Sequence, residues 1–130
     1  APDKMVFLIS GDGSFQMSMQ ELATMVQYRL PIKIILLNNG VLGMVRQLQK
    51  LFCDERYNQI QLANNPDFIK IAEAYGIKGI RVETLDQAPV AIKEAIEYPG
   101  AVFVDVVISP DEIVTPMVPP GRAITEMLGR

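Results

Sequence analysis

Met5-Val-Phe-Leu-Ile-Ser10-Gly11-Asp12-Gly13-Ser14, and after a helical pattern Ile32-Lys-Ile-Ile-Leu-Leu37-Asn38-Asn39, is the stretch that decides the fold. Each half begins with an apolar run of strand length, rich in β-branched residues, of the kind expected where a strand is covered on both faces. The first run is expected to be central in a sheet. Gly11 and Gly13 allow a sharp exit from it and a close backbone approach to a ligand, and Ser14 is placed to cap the next helix. Between the runs, Phe15, Met19, Leu22, Met25 and Val26 recur at spacings of three and four, which predicts one helix over Phe15 to Arg29, ended by Leu30-Pro31. A strand, a helix and a strand make a right-handed crossover with parallel strands. Asp12 and Asn39 then sit beyond strand ends on the same edge.

The pattern continues outward. Leu42 to Phe52 reads as a helix with Met44, Val45, Leu48, Leu51 and Phe52 as its apolar side and Arg46, Gln47, Gln49 and Lys50 as its wetter face. Cys53 to Asn65 is polar and irregular, a surface excursion. Asn65 is positioned to cap a helix with Pro66 at its first residue, burying Phe68, Ile69, Ile71, Ala72 and Tyr75 and stopping at Gly76. Gly79 to Glu83 is a short strand, Thr84 or Asp86 starts a helix through Tyr98, and Ala101 to Ile108 is a fourth strand. The fold class is therefore α/β, a three-layer αβα arrangement around a mostly parallel open sheet. Residues 110–130, with Pro116, Pro119, Pro120 and Gly121, are expected to form an extended tail with a short helix near Thr125, packed on something outside the chain.

Composition narrows the chemistry. A net charge of −3 and a pI near 4.9 leave no basic face for nucleic acid. The apolar runs Ile34–Leu37 and Ala101–Val104 are far shorter than the roughly 20 residues that span a bilayer. The single cysteine, Cys53, excludes an internal disulfide and fits a reducing, cytoplasmic setting. Its neighbours Asp54 and Glu55 would blunt its reactivity. There is no histidine, so Ser-His and Cys-His nucleophile pairs are impossible. The opening Ala1-Pro2-Asp3-Lys4, which meets a strand almost at once, suggests a piece of a longer polypeptide.

In an open parallel sheet, ligands bind beyond the carboxyl ends of the strands, where helix N-termini favour anions. A phosphate would suit the backbone around Gly13 and Ser14, but Asp12 would repel it unless a divalent cation lay between. Magnesium takes six oxygens and few of them from protein. Asp12 can give a carboxylate oxygen, Asn39 an amide oxygen and Val41 a backbone carbonyl.

Gly11-Asp12-Gly13 paired with Asn38-Asn39 at this spacing resembles the thiamine-diphosphate signature. Gly-Asp-Gly-Ser-Phe-Gln-Met from Gly11, Leu-Asn-Asn followed by Leu-Gly-Met-Val-Arg-Gln to Gln47, and Pro-Met-Val-Pro-Pro-Gly from Pro116 are similar to the catalytic subunits of acetolactate synthases. The resemblance covers almost the whole chain, as part of a C-terminal thiamine-diphosphate-binding domain at 1–130, truncated at its N-terminal side, with 110–130 as its tail. It implies magnesium on Asp12, Asn39 and the Val41 carbonyl. It further implies cofactor contacts from Gly11, Gly13, Ser14 and Met44, and a substrate pocket touched by Met44, Val45 and Leu48. The implied reaction condenses two pyruvates, or pyruvate and 2-ketobutyrate, with loss of CO2, in branched-chain amino-acid biosynthesis.

Leu48 stands where many members carry Trp, which predicts a wider, less selective acceptor site. The glutamate that activates the cofactor belongs to another domain of a partner subunit, so no catalytic residue is assigned in this chain and it is expected to be inactive alone. The resemblance also implies FAD in a middle domain, assembly as a homodimer or tetramer, and association with a small regulatory subunit.

Gly-Asp-Gly by itself is more often a plain turn. What favours chemistry is its strand-turn-helix setting and the second strand ending in two asparagines. Met44 reads equally well as a gap-filling core residue, whereas Glu21 reads as a solvated or interface charge rather than a general base. The nearest alternative function is another thiamine-diphosphate carboligase or decarboxylase acting on 2-keto acids. An alternative of another class is a non-catalytic magnesium-binding α/β module of receiver type, which normally clusters several acids where this chain has asparagines.

Overall fold

The computed structural model describes residues 4–62 and 64–129, so both extreme ends of the expected 1–130 span lie outside the described residues. Among the described residues, four strands form one sheet: β1 (Phe7–Gly11), β2 (Lys33–Asn38), β3 (Lys78–Val82) and β4 (Val102–Val107), in the order β1-β2-β4-β3. All three pairings are parallel, with Gly11 opposite Leu37 and Asn38 opposite Val107. The carboxyl ends of all four strands therefore share one rim. The helices are α1 (Asp12–Gln16), α2 (Leu22–Gln27), α3 (Gly43–Phe52), α4 (Phe68–Ala74) and α5 (Gln87–Glu97).

The period-two alternation of the two inner strands creates the layers. Ile34, Leu36 and Phe103 face one side, where they pack with Phe15, Leu22, Met25, Phe68, Ala72 and Ile77. Val102 and Val104 face the other, against Ala91 and Ala95 of α5. Phe15 meets Phe103 and Phe68 edge-on, with ring centroids 5.0 and 5.9 Å apart, a geometry that adds about 0.5–1.5 kcal/mol per pair to simple burial. This is the three-layer parallel arrangement expected from the sequence.

Three details differ from expectation. β1 is an edge strand, not a central one: β2 occupies one side of it, and Phe7, Leu8 and Ile9 remain exposed because nothing among the described residues covers them. The predicted helix from Phe15 to Arg29 is broken into α1, a 3-10 turn at Met19–Glu21 and α2. Phe15 must reach between Phe68 and Phe103, and the chain then resets. Ser18 leaves helical geometry at φ −136°, and tight bonds Ser18 N–H to Phe15 O and Glu21 N–H to Ser18 O replace the regular ladder. Asn65 does not cap α4. Asp67 does, accepting from Ile69 and Lys70 N–H at 3.1 and 3.3 Å, while Gly76 ends the helix at φ 73° as expected.

Opposite the chemical rim, Lys33 is buried at the start of β2 and its ammonium donates to the carbonyls of Tyr98 and Gly100, just past the end of α5. A cation there meets the negative end of that helix. The tail holds the short 3-10 turn expected near Thr125, at Ile124–Glu126. It folds back on itself through Met117 and Leu128, whose backbones exchange bonds of 3.1 and 2.8 Å, and it packs on α3 of this same chain.

Candidate functional site

A cleft of about 400 Å³ opens at the carboxyl rim, between the ends of β1 and β2. Gly11, Asp12, Gly13 and Ser14 form one wall, and Asn39, Val41 and Met44 the next. Ile108, Glu112, Ile113 and Val114, all after β4, close the far side. Every residue expected to contact magnesium or cofactor thus lies on one cavity. Val45 and Leu48, expected in a substrate pocket, lie outside this lining, Val45 exposed and Leu48 half-buried.

Asp12 is the fixed point. It is 2% exposed, its Oδ1 accepts from Gly13 N–H at 3.0 Å, and its Oδ2 accepts from Gly40 N–H at 2.8 Å and Asn65 Nδ2 at 2.6 Å. Burying a carboxylate without such donors would be costly, and here both oxygens are bonded. The Gly40 bond ties the loop after β2 to the turn after β1. Gly40 adopts φ 68°, a left-handed conformation that favours glycine. Asn39 Oδ1 accepts from Val41 N–H at 3.1 Å, holding the amide over the loop. An antiparallel bridge pins that loop from outside, through Leu42 N–H to Ile60 O and Leu62 N–H to Gly40 O, so neither bond uses the Val41 carbonyl.

Two glycines bring the backbone close to neighbouring side chains at the cleft. A Cβ on Gly43 would come within 2.9 Å of Asn39 Nδ2, and one on Gly13 within 3.1 Å of Leu42 Cδ2. Ser14, expected to cap a helix, lies inside α1 instead, and the cap position falls on Gly11 with no side-chain bond. Ser14 is exposed on the cleft wall.

The donor set fits a hard cation. Asp12, Asn39 and Val41 can offer three oxygens of different kinds, and magnesium accepts few protein ligands. No group of three or more His, Cys, Asp or Glu with metal-holding geometry occurs among the described residues, so an all-carboxylate cage is not what this cleft offers. Its charged lining residues are Asp12 and Glu112, both acidic. A diphosphate could enter such a cleft only with a cation between.

Sequence reasoning missed the residues behind these walls. Asn65 reaches Asp12, and its own Oδ1 accepts from Gln16 Nε2 at 2.8 Å. Gln47, assigned to the wet face of α3, is 2% exposed, whereas Met44, Val45, Leu51 and Phe52 are exposed. The helix is turned the other way. Gln47 Nε2 donates to the Val114 carbonyl and to Met117 Sδ, and Oε1 accepts from Val114 N–H. Beside it, Arg46 pairs with Asp111 and lies 4.5 Å from the Tyr57 ring centroid. The Asn65-Pro66-Asp67 run offered a signal, since Asp67 caps as well as Asn65 would. Nothing in the sequence signalled Gln47.

The profile described as "Thiamine pyrophosphate enzyme, C-terminal TPP binding domain" matches residues 1–106. The chain is 45% identical over 98% of its length to the acetolactate synthase large subunit of Porphyra purpurea, and 46% identical over 98% of its length to acetolactate synthase isozyme 2 large subunit of Escherichia coli. It spans only 22% and 23% of those two curated relatives. Among solved structures, it resembles a thiamine diphosphate-dependent 4-hydroxybenzoylformate decarboxylase of Rhodococcus jostii. The TM-score is 0.76 at 30% identity, covering 84% of this chain and 20% of that one.

Proposed function

The chain belongs to the thiamine pyrophosphate (thiamine diphosphate) enzymes, with their C-terminal cofactor-binding domain, and from that premise we propose that it anchors magnesium and the cofactor's diphosphate in an acetolactate synthase. The observation that carries the reading is the meeting of Asp12, at the end of one strand, with Asn39 and Val41, after the next, on a single acidic cleft. Identities of 45–46% to acetolactate synthase large subunits support the choice of reaction within the family.

In this reading Asp12, Asn39 and the Val41 carbonyl hold magnesium, and Gly11, Gly13 and Ser14 border the diphosphate. Thiamine diphosphate supplies the thiazolium carbon at which a 2-keto acid loses CO2 and its acyl carbon becomes nucleophilic toward a second 2-keto acid. The chain's own part is binding and orientation. Gly40 and Asn65 hold the Asp12 carboxylate in place, while Met44, Ile113 and Val114 supply the apolar part of the cleft lining. The activating glutamate, FAD, assembly as a dimer or tetramer, a small regulatory subunit and a cytoplasmic setting belong to the whole enzyme in this reading. The chain alone is inactive.

Titration of thiamine diphosphate into the chain, with and without magnesium, tests the anchor. Binding should require the metal and be lost in Asp12→Asn; metal-independent binding, or full binding by the variant, would sink it. Product analysis of the intact enzyme with pyruvate tests the reaction. Acetolactate is expected, whereas a free aldehyde as sole product would reassign it to a decarboxylase. With Leu48 in place of an aromatic, competition between pyruvate and 2-ketobutyrate should show little preference, and a strong 2-ketobutyrate preference would remove that proposal.

A further inference from the structure

Asp105 lies outside the cleft, in the middle of β4, with Leu36 and Arg81 opposite it on the neighbouring strands, and it is fully buried. A carboxylate in that position is costly unless it is paired and bonded. Its Oδ1 accepts from Asn38 Nδ2 at 3.1 Å. Among the described residues its Oδ2 has no aligned donor; Arg81 Nη2 approaches to 3.1 Å as an ion pair without hydrogen-bond geometry. One apolar residue would fill the site with less cost. The side chain that Asp105 does orient is the amide of Asn38, at the end of β2 and next to Asn39.

A carboxylate only accepts, so Asp105 obliges Asn38 to present its NH2 group inward. The Asn38 oxygen is then left facing Asn65 Nδ2, at 3.3 Å. Asn65 is fixed from its other end as well, because its oxygen already receives the Gln16 amide at 2.8 Å. Its NH2 group is thereby directed to Asp12 Oδ2 at 2.6 Å. Two carboxylates thus bracket two amides, and each link has the polarity that the one before it dictates.

We propose that Asp105 is a positioning residue for Asp12, acting through Asn38 and Asn65 to hold the carboxylate at the cleft in the orientation that receives a metal–diphosphate pair. This rests on the reading of Asp12 as a magnesium ligand. It adds a residue that touches neither cleft nor ligand, and it accounts for a buried charge that packing alone does not need.

The test uses the intact enzyme that carries this chain, and reads the magnesium concentration giving half-maximal thiamine diphosphate binding by calorimetry. Asp105→Leu removes the acceptor and should raise that concentration about tenfold, with KM for pyruvate unchanged at saturating cofactor. Asp105→Asn keeps an acceptor for Asn38 and should stay within about twofold of the wild type. An unchanged half-saturation in Asp105→Leu overturns the proposal, as does a loss in Asp105→Asn equal to that in Asp105→Leu. Where Asp105→Leu does not fold, Asn38→Leu cuts the same path with Asp105 still beside Arg81. It should show the same tenfold rise, and an unchanged value again overturns the proposal. Wild-type protein that binds the cofactor without magnesium would instead defeat the reading of Asp12 itself, and the two failures are therefore distinct.

Discussion

The side-chain amide of Gln47 pairs with the backbone of Val114 as one strand pairs with another, donating at 3.0 Å and accepting at 2.7 Å. Through that contact α3 holds the tail segment that forms the far wall of the cleft. Gln47→Ala removes both bonds and the buried stem. Net hydrogen-bond contributions of about 1 kcal/mol each imply a loss on the order of 2 kcal/mol. Thermal unfolding should report it, and limited proteolysis should cut near residues 111–118 faster than in the wild type. Equal cleavage rates would show that the tail is held by something else.

Gly43→Ala is expected to act locally. The new Cβ would stand 2.9 Å from Asn39 Nδ2, closer than carbon and nitrogen tolerate, so the amide must swing away while the helix itself gains a better former. The magnesium requirement for cofactor binding should rise about tenfold, a cost of about 1.4 kcal/mol, with the melting temperature unchanged or slightly higher. A variant that binds magnesium as the parent does would remove Asn39 from the ligand set.

Asp67 and Asp105 lie on either side of Arg81, and their proton affinities move in opposite directions. Backbone N–H bonds to its carboxylate, first that of Lys70, hold Asp67 below the usual range, with Arg81 and Lys70 adding to the effect. Burial pushes Asp105 up. The Asn38 bond and Arg81 oppose that shift, while Asp67 and Asp12 add to it. Asp67 therefore contributes stability above its unfolded pKa of about 3.8, lost as pH falls through its lower folded value. Asp105 does the reverse: it favours the fold below about 3.8, and this is lost as pH rises through its raised folded value. The melting temperature of Asp105→Asn relative to wild type should accordingly climb as pH rises above 4 and then level off. That of Asp67→Asn relative to wild type should fall over the acid range below it. A flat difference for either variant would contradict the assigned shift.

Lys33→Met keeps the aliphatic stem in the sheet and deletes two charge-assisted bonds to the carbonyls of Tyr98 and Gly100. Burial lowers the lysine's proton affinity, which offsets part of what those bonds contribute. A net loss of about 1–3 kcal/mol is expected by denaturant unfolding, with magnesium and cofactor binding unaltered. A change in binding at the opposite rim would mean that the two ends of the sheet are coupled.

The fold was legible where burial follows periodicity. β2 and β4 are runs of apolar residues because both their faces are covered, and the parallel order follows from the helices between them. Asp12, Asn39 and Val41 could be brought together on paper because strand ends in a parallel sheet share a rim. All but one of the failures share a cause, a contact between segments far apart in the chain. Gln47 is buried because residues 114–117 supply it with partners, and no local pattern contains them. Asn65 is drawn from capping duty by Asp12, and Asp67 takes its place. The helix after the Gly-Asp-Gly turn breaks because Phe15 is claimed by Phe68 and Phe103. β1 reads as an inner strand from its composition, yet Ile9 is 68% exposed.

The parallel order of the sheet separates the contacts that hold the molecule together at one rim from those that shape the cleft at the other. Lys33, Tyr98 and Lys78 cluster at the amino rim, where Lys78 also pairs with Glu94, a full strand length from Asp12. Substitutions there act on the sheet's stability through contacts that share no residue with the cleft. At the carboxyl rim neighbouring residues share donors and acceptors, so a replacement that removes one partner is passed along to Asp12.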